Sequence, residues 1–169
     1  TQTISATVAG TYQVIVTTGS GCKDTVTATL TVNSKPNVTL TNATICSGDA
    51  AATFDAGAGY TTYAWSGNGT GAAQTTSGTA AGTYTVRVAD ANGCKDTASA
   101  TLTGNAKPTI TPASATICSG DAAVNFDAGS GYATYAWSGP ATASTQTISA
   151  TVAGTYQVIV TTGSGCKDT

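Results

Sequence analysis

Cysteine is the residue type in this chain best suited to covalent chemistry. The five cysteines are Cys22, Cys46, Cys94, Cys118 and Cys166, and successive ones are 24, 48, 24 and 48 residues apart. They form no Cys-x-x-Cys pair and the chain has no histidine, so zinc binding is not expected. Regular spacing in a chain rich in threonine and glycine is typical of disulfides formed in an oxidising, extracellular setting. Free buried thiols are the alternative, which the glycine-rich turns around the cysteines disfavour.

Aspartate is the other group that could do chemistry, since the chain has eight Asp and no Glu. Asp55 and Asp127 lie in Phe-Asp-Ala-Gly segments, and Asp49 and Asp121 follow Ser-Gly. An aspartate in such a turn is explained by hydrogen bonds to the nearby backbone. A catalytic site needs an acid, base, nucleophile or metal gathered in a defined pocket. We therefore predict no enzyme, with no catalytic residue, cofactor site or metal site.

The charge and hydropathy of the chain exclude two kinds of partner. The formal net charge is -2 and only 8% of residues are charged, whereas a nucleic-acid surface needs a basic stripe. No apolar run approaches the roughly 18 residues that span a bilayer. No signal peptide opens the sequence, and its first residue falls inside a repeat, so we expect a piece of a longer protein.

Internal repeats organise the whole chain. Residues 1–25 are identical to residues 145–169, and residues 43–51 are identical to residues 115–123, which lie 72 positions later. This period predicts the C-terminal part of one repeat (1–33), one complete repeat (34–105), and a repeat lacking its last strand (106–169). Near-identical repeats are typical of a tandem array.

Each repeat has the pattern of short β-strands. Threonine and aliphatic residues alternate, and glycine-rich turns separate the segments every 8–12 residues. The predicted strands are A around Val38 and Leu40, B from Ala52, C around Tyr63 and Trp65, a weak strand at 74–79, F around Tyr84, Val86 and Val88, and G as in Val26–Val32. These six segments and the loop at residues 66–73, which is long enough to return down the sandwich, favour about seven short strands. We therefore predict an all-β fold of tandem sandwiches, with Trp65 and Trp137 in their cores.

The motifs of the repeat resemble a known family of modules. Tyr-x-Trp-x-Gly-x-Gly at residues 63–69 is followed by Gly-Thr-Tyr-x-Val-x-Val-x-Asp-x-x-Gly-Cys at residues 82–94. Together with Ile-Cys-Ser-Gly at residues 45–48, these resemble the PKD-like and immunoglobulin-like repeats of large Bacteroidota cell-surface proteins. The resemblance covers every repeat and implies the stalk of a long extracellular adhesin, of the kind used in gliding motility. The loop at residues 65–69 lacks the acidic residues common in PKD repeats, so calcium binding is not implied.

Two disulfide patterns are compatible with the cysteine spacing. Pairing inside a repeat would join Cys46 to Cys94 and Cys118 to Cys166. In a seven-stranded sandwich, however, the A–B turn and the F–G turn lie at opposite ends, over about 20 Å apart, beyond the reach of a disulfide. Cys46 would then pair across the repeat boundary with Cys166, and this is the favoured pattern. A six-stranded domain would bring both turns to one end and restore in-repeat pairing.

Threonines after the cysteine turn are candidates for glycosylation. Asp24-Thr25-Val26 and Asp96-Thr97-Ala98 resemble a Bacteroidota O-glycosylation sequon, and Asp168-Thr169 begins a third copy. The alternative is an aspartate that stabilises a turn beside a strand threonine.

These features together predict a structural segment of a long extracellular filament or adhesin stalk at the cell surface. Its partners would be neighbouring repeats of the same polypeptide or fibre. One alternative is a carbohydrate- or protein-binding module that contacts surface polysaccharide through Tyr60 and Tyr132. Another is a short subunit that assembles into a filament by strand complementation, with a G strand completing the third repeat of a neighbouring chain.

Overall fold

The protein has an all-β fold, which confirms the predicted fold class. The computed structural model describes residues 2–169, and within them there is no helix. An N-terminal hairpin contains β1 (Gly10–Thr17) and β2 (Lys23–Leu30). Residues 34–105, the central unit, contain β3 (Ala43–Cys46), β4 (Ala52–Asp55), β5 (Thr62–Gly67), β6 (Thr75–Gly78), β7 (Gly82–Ala89) and β8 (Lys95–Asn105). Residues 106–169, the last unit, contain β9 (Val124–Asp127), β10 (Thr134–Ser138), β11 (Thr147–Ala150), β12 (Gln157–Thr161) and β13 (Lys167–Asp168).

The central unit is a sandwich of a four-stranded and a two-stranded sheet. The strand orders are β3-β8-β7-β5 and β4-β6. Alternation along β7 turns three side chains inward, as predicted: Tyr84, Val86 and Val88 are at most 1% exposed. They pack with Phe54 and Trp65 in one core, so period-two alternation is what buries this strand against the second sheet.

The central unit has six strands, so the prediction of seven was wrong. The segment around Val38 and Leu40 is not a strand, because the Val38 amide donates to the Asp96 carboxylate at 2.9 Å instead of to a neighbouring strand. Val38 is nevertheless buried in the core. Residues 68–74 contain no strand either. Gly71 in this segment has a φ of +112°, a conformation that strands do not adopt.

The turns that carry Cys46 and Cys94 still lie at opposite ends of the sandwich, although it has six strands and not seven. The connection from β5 to β6 crosses back along the sandwich as a loop, which replaces the missing strand. β3 therefore runs parallel to β8, and Cys46 pairs with Asn105 at the end of β8. The turn between β7 and β8, which is the predicted F–G turn, ends at Cys94, just before β8 begins. The length of β8 separates Cys46 from Cys94 by about 33 Å.

The last unit repeats the contacts of the central unit. Its sheets are β10-β12-β13 and β9-β11. Trp137 donates to the Thr145 carbonyl at 3.0 Å, as Trp65 donates to the Ala73 carbonyl at 2.9 Å. Trp137 is 4% exposed. Both predicted core tryptophans are therefore buried, and each is anchored through its indole N–H.

Candidate functional site at the junction between units

The turn after β3 presents the first cysteine of the junction. The Cys46 amide donates to the Asp49 carboxylate at 3.0 Å, and the Ser47 amide donates to the Asn105 carbonyl at 2.8 Å. Gly48, at a φ of +82°, supplies the left-handed residue of the turn. The turn is thereby fixed against the end of β8, which places the Cys46 side chain at the boundary of the two units.

The turn between β12 and β13 presents the second cysteine. The Thr162 hydroxyl accepts from the Cys166 amide at 3.1 Å, and the Thr162 amide donates to the Cys166 carbonyl at 2.8 Å. This closes the turn around Cys166, which is completely buried. The Cys166 sulfur lies 4.0 Å from the Asn105 carbonyl oxygen. Asn105 therefore contacts both cysteine turns.

A disulfide joins these turns across the junction. Cys46 and Cys166 are 120 residues apart in sequence, and their Cα atoms are 5.6 Å apart. This is the cross-repeat pairing that the sequence favoured. The in-repeat pairs Cys46–Cys94 and Cys118–Cys166 are not formed, since Cys94 and Cys118 are free thiols. In the central unit, the two cysteine turns lie at opposite ends of β8.

An ion pair crosses the same junction. The Lys107 ammonium of the last unit lies 3.0 Å from the Asp49 carboxylate of the central unit. The hydrogen bond from Lys107 lowers the pKa of Asp49 below its usual value of 3.8, with a second contribution from the Cys46 amide. Both side chains are about two-fifths exposed, so solvent screens the pair and it orients the turn more than it stabilises the junction.

The junction between the hairpin and the central unit has a similar arrangement. The Cys94 sulfur lies 3.9 Å from the Asn33 carbonyl oxygen, which matches the position of Cys166 beside Asn105. The Asp90 carboxylate accepts from the Cys94 amide at 2.9 Å and so holds this turn in place of the threonine hydroxyl. At both junctions, the cysteine in the turn before the last strand of one unit thus lies beside the last residue of the preceding unit.

The candidate glycosylation threonines are exposed, and the aspartates before them have structural contacts. Thr25, Thr97 and Thr169 are all exposed. The Asp96 carboxylate accepts from the Val38 amide, and the Ile110 amide donates to Asp168 at 3.2 Å in the same way. Through these bonds, the aspartate of the Asp-Thr motif anchors the first segment of the central unit and of the last unit.

The aromatic residues considered for carbohydrate binding are engaged inside the fold. The Tyr60 hydroxyl donates to the Asn37 carbonyl at 3.0 Å, and the Tyr132 hydroxyl donates to the Thr109 carbonyl at 3.3 Å. Each ring packs edge-to-face on a neighbouring tyrosine, with centroids 5.9 Å apart. The half-buried rings therefore pack near the first residues of each unit and do not form an open stacking platform.

Sequence reasoning missed two members of the junction. The contacts of Asn105 and the Lys107–Asp49 ion pair both depend on how the two units meet. Their sequence signal was slight: Lys35-Pro36 and Lys107-Pro108 recur at the unit boundaries, where a lysine could reach the turn of the preceding unit.

Comparison with known proteins finds no family model that matches the chain and no curated protein that is significantly similar to it. In the described part of the chain, no three His, Cys, Asp or Glu side chains are grouped as metal ligands. Residues 2–169 likewise contain no helix that is long and apolar enough to cross a membrane.

Proposed function

We propose that this chain is a structural segment of a long extracellular filament or adhesin stalk, in which it acts as a stiff spacer. The observation that carries the proposal is the Cys46–Cys166 disulfide, because it joins two units and not two parts of one unit. A disulfide is also typical of proteins outside the reducing cytoplasm.

The bond changes how tension passes along the chain. A pull between residues before Cys46 and residues after Cys166 is transmitted through the disulfide. The segment of chain between the two cysteines, which are 120 residues apart, then cannot be extended while the bond is intact. Most of the central unit and of the last unit lies within this closed loop, so their folds are protected from mechanical unfolding.

The bond also restricts the angle between the units. Domains joined only by a short linker normally move relative to one another. Here the linker near Ala106 and Lys107, the ion pair to Asp49 and the disulfide provide three connections between the same two units. Three connections at one boundary favour a rod over a flexible string of domains, as a spacer requires.

The same features support a structural role over a catalytic or carbohydrate-binding one. The aspartates with lowered pKa values accept hydrogen bonds that fix turns and unit boundaries. The hydroxyls of Tyr60 and Tyr132 likewise donate to backbone carbonyls near the start of each unit. The polar and aromatic residues therefore serve the scaffold.

The proposal is tested on native cells with an antibody raised against residues 34–105. Immunogold labelling should decorate filaments that extend from the cell surface, and the reactive polypeptide should be much longer than this chain. Labelling confined to the cell interior would overturn the proposal. Pre-immune serum is the control for labelling.

A further inference from the structure

The central unit contains two Asn-Gly pairs, Asn68-Gly69 and Asn92-Gly93. An asparagine that precedes glycine can lose its side-chain amide without an enzyme. The glycine has no side chain to keep its backbone nitrogen away from the asparagine side-chain carbonyl carbon, and its backbone is free to change conformation. The reaction needs an asparagine side chain that can rotate and a following amide that can leave its hydrogen bond. The structure separates the two pairs by both requirements.

Asn68 is held in place together with the glycine that follows it. Its side-chain amide donates to the Ala80 carbonyl at 3.2 Å and to the Ala81 carbonyl at 2.9 Å. Gly69 is buried, and a Cβ atom built on it would lie 3.1 Å from a side-chain atom of Tyr84. Deamidation of Asn68 would therefore have to break two hydrogen bonds and move backbone that is packed against the core.

Asn92 lies in the exposed turn between β7 and β8 and has neither restraint. Its backbone amide donates to the Asp90 carboxylate at 2.9 Å, but its side chain has no hydrogen-bond partner among residues 2–169. A Cβ atom built on Gly93 would meet nothing within 4 Å. The Gly93 amide donates only to the Asp90 carbonyl, at 3.1 Å, and a bond in an exposed turn opens readily by local fluctuation. Both reacting groups are therefore available.

The matching turn of the last unit shows that a preceding unit leaves this position open. Ser164 lies 72 residues after Asn92 and is exposed, although the central unit packs against its turn and Cys166 beside it is completely buried. A boundary between units thus buries the cysteine of the turn and not the residue two positions before it. The exposure of Asn92 is therefore a property of the turn itself.

We propose that Asn92 is a site of spontaneous deamidation, which loosens the Cys94 turn as the protein ages. The Gly93 nitrogen gives its proton to hydroxide and attacks the Asn92 side-chain carbonyl carbon. The new C–N bond closes a five-membered succinimide ring, and the side-chain nitrogen takes a proton from water and leaves as ammonia. Water then opens the ring at either carbonyl. One product is aspartate, and the other is isoaspartate, in which the main chain runs through the former side chain.

Isoaspartate adds one carbon atom to the main chain inside a turn whose two ends are bonded together. The Asp90 amide donates to the Cys94 carbonyl at 3.0 Å, and the Cys94 amide donates to the Asp90 carboxylate at 2.9 Å. A longer main chain shifts these donors and acceptors out of register. Either product also places a second carboxylate close to that of Asp90, and like charges at short distance repel. We therefore expect the amides of residues 90–94 to exchange faster after the reaction.

The reaction is specific to the central unit. The matching turns at residues 18–21 and 162–165 both have the sequence Thr-Gly-Ser-Gly, and a serine in place of the asparagine has no side-chain amide with which to form the ring. The turn of the last unit is nevertheless closed by the same backbone bonds, Thr162 to Cys166 at 2.8 Å and Gly165 to Thr162 at 3.0 Å. The modification goes beyond the spacer role, and its absence would leave that proposal intact.

The test is prolonged incubation of the purified, folded chain at a series of pH values, followed by peptide mapping with mass spectrometry and labelling by an isoaspartyl methyltransferase. Isoaspartate should accumulate at position 92, faster at higher pH because the attacking nitrogen must lose its proton. Conversion of Asn68 should be about tenfold slower or more, since two hydrogen bonds must open first. In concentrated urea both asparagines should convert at similar rates. A difference that persists in urea would come from local sequence and would overturn the structural explanation.

Asn92→Ser is the matched control, because it gives this position the residue that the last unit has. After the same incubation, hydrogen exchange of the amides of residues 90–94 should be faster in the aged original chain than in the fresh one, and unchanged by ageing in Asn92→Ser. Circular dichroism checks that the fresh proteins are folded. The proposal is overturned if no isoaspartate forms at position 92, if Asn68 converts as fast as Asn92 in the folded chain, or if ageing leaves the exchange of the original chain unchanged.

Discussion

Breaking the junction disulfide should lengthen the chain under force by an amount that the structure sets. Cys46→Ser removes one sulfur of a bond that closes a 120-residue loop. A fully extended chain spans at most about 3.3–3.6 Å per residue, so opening this loop adds about 400–430 Å to the maximum extension. Single-molecule force spectroscopy on chains held at both termini, with the free thiols alkylated, measures this gain directly.

Cys118→Ser is the matched control, because Cys118 lies in an identical nine-residue segment but carries a free thiol. Its maximum extension should equal that of the unmodified chain. A reducing agent should give the unmodified chain the extension of Cys46→Ser. The reasoning is refuted if the oxidised, unmodified chain already extends as far as Cys46→Ser, since tension would then bypass the bond.

Three further perturbations test the packing and electrostatics of the central unit. Leu102→Ala should lower the free energy of unfolding by about 2–5 kcal/mol because this side chain is fully buried, whereas Leu30→Ala in the exposed hairpin should cost less than about 1 kcal/mol in urea denaturation. Gly78→Ala should lower the free energy of unfolding by about 1–3 kcal/mol, because its new methyl group would overlap a buried tyrosine hydroxyl. Gly104→Ala gains only an ordinary contact and should leave the melting temperature of the unmodified chain unchanged; equal melting temperatures for the two variants would contradict this reasoning. Hydrogen bonding from two backbone amides lowers the pKa of Asp96 below 3.8, so its stabilisation is present above that pH and lost as the pH falls through the folded-state pKa. Asp96→Asn should therefore flatten the acid limb of the stability curve, and an unchanged limb would contradict the assignment.

The sequence predicted those parts of the fold that depend on local pattern. The inward face of β7, around Tyr84 and Val86, follows from strict alternation of side chains. The glycine turns that carry the cysteines follow from residue type, since glycine adopts the left-handed conformation at Gly48 and Gly165 without strain. These features need no knowledge of distant contacts.

The features that the sequence did not predict depend on contacts between distant segments. The predicted strand at Val38 failed because Asp96, far along the chain, takes the amide that a strand partner would have used. The parallel pairing of β3 with β8 depends on a glycine-rich loop that crosses the sandwich without forming a strand. The sequence favoured the observed disulfide although the predicted strand count was incorrect. This loop reverses the chain direction as a seventh strand would have done, so the two cysteine turns of the central unit still lie at opposite ends.

The most direct test of the stiff-spacer proposal is the relative orientation of the central and last units in solution. Residual dipolar couplings of backbone N–H groups, measured for residues 34–105 and residues 106–169 in a weakly aligned sample, report this orientation. With the Cys46–Cys166 bond intact, one alignment tensor should fit both units, and Cys46→Ser should require two tensors of different magnitude. Two different tensors in the oxidised, unmodified chain would contradict a rigid junction.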